Sequence, residues 1–231
     1  MHDGRTGELT ARRSSVAVEP APCYSRPERI CDLAVHLVGI GLAAVALPVL
    51  LVLGFRGEAA AAVGLTLYAV GVVAMLTFSA LYNAVQRPVP KAWLRRFDRA
   101  AIFVMIAGTY SPFALVSMEG AWGLGLFAVV WSLALGGTAL ALAWPRGSDR
   151  IALGLYLAMG WGIVVALEPL AESIGATAIG LLLAGGVIYT AGVGFHLSRL
   201  RYQNAIWHVC VLAAASLHYI AIMDSVALAG A

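Results

Sequence analysis

A few polar side chains interrupt an otherwise apolar chain, and their spacing is helical. Glu28, Asp32 and His36 stand at i, i+4 and i+8, so on a helix they share one face. Ser79 and Asn83 repeat the spacing at the end of a second apolar run, and Asn204 and His208 repeat it at the start of the last; Asp98 opens the run between. Two side chains at i and i+4 can grip one metal ion. A third ligand from a facing helix then leaves an open position for water, which is the arrangement of catalytic zinc. A carboxamide oxygen is neutral and donates weakly, so Asn83, Asn204 and His208 read more readily as a hydrogen-bonded network. Asp98 follows Arg95 and Arg96, and an exposed helix N-cap is a competing reading for it. His218 lies ten residues beyond His208 and so about 15 Å further along a straight helix. That distance excludes a shared ligand role and leaves a buried, hydrogen-bonded histidine.

The elements that must position these residues follow from composition. The chain has 231 residues, of which 61% are hydrophobic and 12% charged. A soluble domain would carry about 25% charged residues. Seven apolar runs cover roughly 30–54, 59–85, 98–118, 121–144, 150–168, 174–197 and 203–228. Each is long enough to cross a bilayer, and none alternates as a barrel strand does, so helices are the spanning form. The expected fold is an all-α bundle of seven transmembrane helices. Pro112 is expected to kink the third run, and Glu168 with Pro169 to cut the fifth short. Residues 1–27 carry Arg5, Arg12, Arg13 and three prolines but no apolar run, and read as a disordered or surface-lying tail. Cys23, Cys31 and Cys210 have no metal or redox spacing.

Orientation comes from the basic residues. If the runs cross alternately, all but Arg56 of the 15 Lys and Arg residues fall on the side of the N-terminus. The positive-inside rule then places the N-terminus in the cytoplasm and the C-terminus outside. The same topology gathers His36, Ser79, Asn83, Asp98, Asn204 and His208 into the cytoplasmic leaflet. Polar side chains are expensive there, so a cluster at one depth marks a functional site. The net charge of +3 reflects this asymmetry and gives no reason to invoke nucleic acid. The arginine-, alanine- and glycine-rich composition suits a bacterial protein of the inner membrane.

The same residues carry a resemblance. Glu28, Asp32, His36 and Gly39 are similar to an E-x₃-N-x₃-H-x-x-G pattern. Ser79-Ala-Leu-Tyr-Asn83 is similar to S-x-x-Y-H. Asp98, Ile102, Phe103 and the segment Gly108-Thr109-Tyr110-Ser111-Pro112 resemble a D-x-x-x-I-F segment ending in G-T-Y-T-P. Asn204-Ala-Ile-Trp-His208 resembles H-A-I-W-H. These patterns, in this order, belong to the hemolysin III family, within the group of progestin and adipoQ receptors, and the resemblance covers residues 28–231. It implies seven helices and a cytoplasmic N-terminus. It also implies a zinc ion held by three histidines, at positions that here are Asn83, Asn204 and His208, with Ser79 and Asp98 in support. Two of the three are asparagine, and Asp32 stands where the family commonly has Asn.

The expectation is therefore a hemolysin III-like membrane protein with a degenerate metal site, receptor-like or lipid-sensing, with membrane lipids as partners. No bound metal is expected, and zinc is the metal if the site works. The alternative is a zinc-dependent hydrolase of lipid amides or esters, ceramidase-like, using Ser79 and Asp98. A remodelled ligand set could then draw on His36, Asp98 or Asp32. A further alternative is membrane permeabilisation, although no span carries a continuous polar stripe.

Overall fold

The computed structural model describes residues 24–118, 120–144 and 149–227. The tail expected over residues 1–27 lies, up to Cys23, outside the described residues. Every element among the described residues is helical: α1 Arg26–Gly54, α2 Ala59–Ala84, α3 Pro88–Pro112, α4 Gly120–Ala143, α5 Asp149–Trp161, α6 Leu167–Ser173, α7 Ala176–Leu197 and α8 Gln203–Ile222. α5 and α6 are joined by a 3₁₀ stretch, Gly162–Ala166, and together form one span. Seven helical units are long and apolar enough to cross a membrane, and the chain is an integral membrane protein.

The burial pattern is that of a protein whose solvent is lipid. Leu37, Val45, Leu135 and Val165 point outward, while Asp32, His36, Ser79, Thr109 and Ser111 are buried. In hydrocarbon an apolar surface costs nothing and an unpaired polar group costs several kcal/mol, so the polar residues turn inward. Thr109 and Ser111 return their hydroxyls to carbonyls four residues back, Met105 and Ala107.

Helix association in lipid rests on close approach rather than on apolar burial. α2 and α3 pack most extensively, through glycines. A Cβ on Gly64 would stand 2.9 Å from the Cα of Pro112, one on Gly71 2.9 Å from the Cα of Met105, and one on Gly108 2.8 Å from the carbonyl oxygen of Leu67. α1 lies against α2 and α8, and α7 against α8. This brings the start of α1, the end of α2 and the start of α8 to one end of the bundle.

Two boundaries differ from the sequence reading. α3 starts at Pro88, ten residues before Asp98, with proline in its first turn. Lys91, Arg95 and Arg96 lower the local hydropathy and hide this turn from an apolar-run criterion, yet they continue the helix. Asp98 is therefore inside α3, and the N-cap reading is corrected. The fifth run extends to Ser173 because the 3₁₀ stretch at Gly162 absorbs the break. The Tyr110 hydroxyl donates to the Met159 carbonyl at 2.6 Å, just before that break. Pro112 is followed by a π-helical turn, Phe113–Ser117.

Gly71→Leu is expected to force α2 off α3 and to cost about 1–3 kcal/mol by overpacking. Gly41→Ala, where a Cβ meets nothing within 4 Å, is expected to be neutral. Thermal unfolding of both variants in detergent micelles checks the contrast.

Candidate functional site

The site is built on three helix ends. At the start of α1, Glu28 is drawn to the chain itself. Its carboxylate accepts from the Ser25 backbone N–H at 2.8 Å and hydroxyl at 2.6 Å, and from the Tyr202 backbone N–H at 3.1 Å. Tyr202 has φ 62°, the left-handed turn that leads into α8. Glu28 thus fastens the start of α1 to the approach of α8. It does not reach inward with Asp32 and His36, although the spacing puts all three on one face.

One turn deeper, Asp32 and His36 meet α8 and α2. Nδ1 of His208 lies 2.5 Å from the Asp32 Oδ1, and Nδ1 of His36 donates to the Asp32 main-chain carbonyl at 2.8 Å. The two imidazole rings stand edge to face, 4.3 Å between centroids. Both Nε2 atoms turn toward one hydroxyl: Oγ of Ser79 is 3.0 Å from that of His36 and 3.3 Å from that of His208. The Asp98 side chain, from α3, lines the same cavity as Ser79 and His208.

Proton counting defines the chemistry. A carbonyl only accepts, so His36 carries its proton on Nδ1 and offers a lone pair at Nε2. His208, donating from Nδ1 to a carboxylate, does the same when neutral. Ser79 has one proton and faces two acceptors, the Nε2 lone pairs of the two imidazoles. Acceptors converging on one hydroxyl either activate it as a nucleophile or hold a cation.

Asn83 and Asn204 form a separate layer toward the helix ends. Asn83 Nδ2 donates to the Ser79 carbonyl at 3.0 Å, and its Oδ1 accepts from Asn204 Nδ2 at 3.2 Å. The only Asn83 atom able to ligate a metal is thereby used, and Asn204 turns its amide protons toward it. The residues at these two positions do not fit the zinc that the resemblance implies.

A different set is closer to a metal site. Asp32, His36 and His208 have ligand atoms that all lie within 4.8 Å of one another, and could hold a metal ion. Two ligands on one tetrahedral zinc, each about 2.0–2.1 Å from it, stand roughly 3.3 Å apart. Asp32 Oδ1 and His208 Nδ1, at 2.5 Å, are at hydrogen-bond separation and would have to spread to admit the ion.

The cluster separates two cavities. On one side a cavity of about 130 Å³ runs into the bundle, with Ser79, Asp98 and His208 at one end and Ile106, Val193 and Val211 among its apolar walls. On the other a polar pocket of about 250 Å³ is lined by Glu28, Asp32, Asn83, Lys91, Tyr202 and Asn204. His218 lines the far end of the first cavity, its Nε2 donating to the Leu182 carbonyl at 3.1 Å. Gly185 makes room for that ring, since a Cβ there would stand 2.4 Å from Nε2. His196 instead packs on Trp207, with centroids 5.4 Å apart. The sequence reading does not single out the cavity walls. Thr109, Tyr110, Trp161 and Tyr189 are ordinary span residues there, and only packing turns them toward one space.

Comparison with known proteins agrees with this architecture. The model of the "Haemolysin-III related" family matches residues 27–219. Hemolysin-3 of Bacillus cereus is 34% identical over 198 residues, 85% of this chain and 90% of the relative. The Hemolysin-3 homolog of Bacillus subtilis is 32% identical over 191 residues, 82% of this chain and 90% of the relative. The human monocyte to macrophage differentiation factor, a member of the progestin and adipoQ receptor group, is 28% identical over 165 residues, 68% of this chain and 67% of the relative. The match reaches every helix that bears a residue of the cluster, and the chain belongs to the haemolysin III-related family of seven-helix membrane proteins.

Proposed function

We propose that this protein is a receptor-like module that recognises a membrane lipid. Its apolar chain lies in the cavity between the helices, and its polar part sits at Ser79, Asp98 and His208. The observation that carries the reading is the cavity itself: an apolar space inside a membrane protein, with the polar side chains Ser79, Asp98 and His208 at one end, Ser79 buried. Ligand sites combine mostly apolar walls with a few placed polar groups, and an amphiphile matches that division. At about 130 Å³ the space holds many water-sized spheres or a section of acyl chain.

The excess of basic residues on that side supports a polar end in the cytoplasmic leaflet, and the bacterial relatives are in keeping with a bacterial cytoplasmic membrane. In this reading the Asn83–Asn204 pair works as a hydrogen-bonded lid over Ser79 rather than as part of a zinc cage. Were zinc bound elsewhere in the cluster, Asp32, His36 and His208 would be its ligands.

Binding of a pyrene-labelled long-chain fatty acid to the purified protein in nanodiscs tests the lipid reading. Ile106→Trp, which fills the cavity, is expected to weaken binding at least about tenfold, or about 1.4 kcal/mol. Val45→Trp, on the lipid-facing surface, is expected to leave it unchanged. Equal affinities for the two variants would remove the cavity as the binding site. The metal reading has its own check in elemental analysis. The double variant Asn83→His with Asn204→His is expected to bind zinc stoichiometrically where the parent chain does not hold it at these positions. A double variant without zinc would contradict the placement of α2 against α8.

A further inference from the structure

Ser79, His208 and Asp32 are linked in the order of a hydrolytic triad. Oγ of Ser79 meets Nε2 of His208 at 3.3 Å, and the other ring nitrogen, Nδ1, meets the Asp32 Oδ1 at 2.5 Å. Nucleophile, base and orienting carboxylate are recognised by this geometry and not by chain order. The three come from three helices, α2, α8 and α1, so sequence proximity has no part in the arrangement. Asn83 and Asn204 are engaged with each other and with the Ser79 carbonyl, which leaves His208 to pair with Asp32.

We infer that Ser79 is the nucleophile of a metal-free acyl hydrolase whose substrates are long-chain acyl esters or amides lying in the intramembrane cavity. This rests on the lipid-binding reading above and adds chemistry to it. The Ser79 oxygen attacks the acyl carbonyl carbon while its proton passes to Nε2 of His208. The carbon–oxygen or carbon–nitrogen bond to the headgroup side breaks, and the departing alcohol or amine takes that proton. Water then attacks the acyl–Ser79 ester and gives a proton to His208; the carboxylic acid leaves, and the Ser79 hydroxyl is restored from His208. The polar pocket beyond Asp32 and Asn83 is the water's route from the opposite side of the cluster. Asp32 touches no reacting atom. It holds the His208 ring in the tautomer that accepts at Nε2, and is a positioning residue. His36, its Nε2 3.0 Å from Oγ, stands on the other side of the hydroxyl.

The test uses the full chain in detergent micelles, with a fluorophosphonate probe and p-nitrophenyl palmitate. The expected result is covalent labelling at Ser79 and hydrolysis that survives 1,10-phenanthroline. Ser79→Ala and His208→Ala lose both, and Ser79→Ala keeps the thermal unfolding transition of the parent chain, which shows that it folds. Asp32→Asn lowers kcat by as much as about 10⁴-fold with KM unchanged, the effect of losing the orienting carboxylate, and Asp32→Glu recovers part of it. A protein that binds the fatty acid but is neither labelled nor active would overturn the inference and leave the lipid reading standing. Hydrolysis abolished by the chelator, or labelling at another residue, would overturn it equally. A wild-type protein that does not bind the fatty acid would instead sink the lipid reading.

Discussion

A buried carboxylate paired with a half-buried imidazole of another span is the constraint around which one end of this bundle is organised. Asp32 and His208 are on the first and last spans, and neither tolerates hydrocarbon alone. An isolated charge there costs several kcal/mol even after relaxation, and a pair is tolerated only when further hydrogen bonds satisfy its remaining atoms. Nδ1 of His36 donates to the Asp32 carbonyl, Nδ1 of His208 meets the Asp32 carboxylate, and the one Ser79 hydroxyl lies between the two Nε2 atoms. α1, α2 and α8 cannot separate at this end without exposing one of these groups. Glu28 and Tyr202 repeat the tie one turn nearer the helix ends, and Asn83 with Asn204 repeats it between α2 and α8.

The rest of the bundle is free to be held by shape. α2 meets α3 through glycines that allow backbone contact, and α7 accepts the His218 ring at Gly185. The polar side chains in these contacts turn to main-chain carbonyls, as Tyr110 and His218 do, which leaves the cavity beside the cluster apolar. The cavity's polar end is supplied by Ser79, Asp98 and His208, and its walls by span residues, of which Tyr110 and His218 are bonded to main-chain carbonyls of neighbouring helices. The end bearing Ser79 and His208 is where three helices are fixed relative to one another.

Hydropathy made the seven spans legible, because lipid is a uniform solvent and length alone selects the segments. The family's helix motifs were legible too, since they lie in ordered runs of particular residue types. The start of α3 was not: its first turns carry Lys91, Arg95 and Arg96, and apolarity is a poor guide to a helix that begins outside the hydrocarbon. The meeting of Asp32 with His208 was also hidden. Spacing along α1 gives Glu28, Asp32 and His36 one face, but how that face is rotated toward its neighbours depends on packing. Packing sends Glu28 to the Tyr202 backbone and Asp32 to α8. Asp32 therefore looked like a lesser departure than Asn83 and Asn204, whereas in three dimensions it is the residue that gives the remaining histidine a partner.

The central claim is that His208 donates from Nδ1 to Asp32. Nitrogen-15 and proton NMR of histidine-labelled protein in bilayers reads this bond directly. The account predicts a far-downfield proton on Nδ1 of His208 that is lost in Asp32→Asn. A His208 ring whose Nδ1 carries no proton, or is bound to a metal, would contradict it.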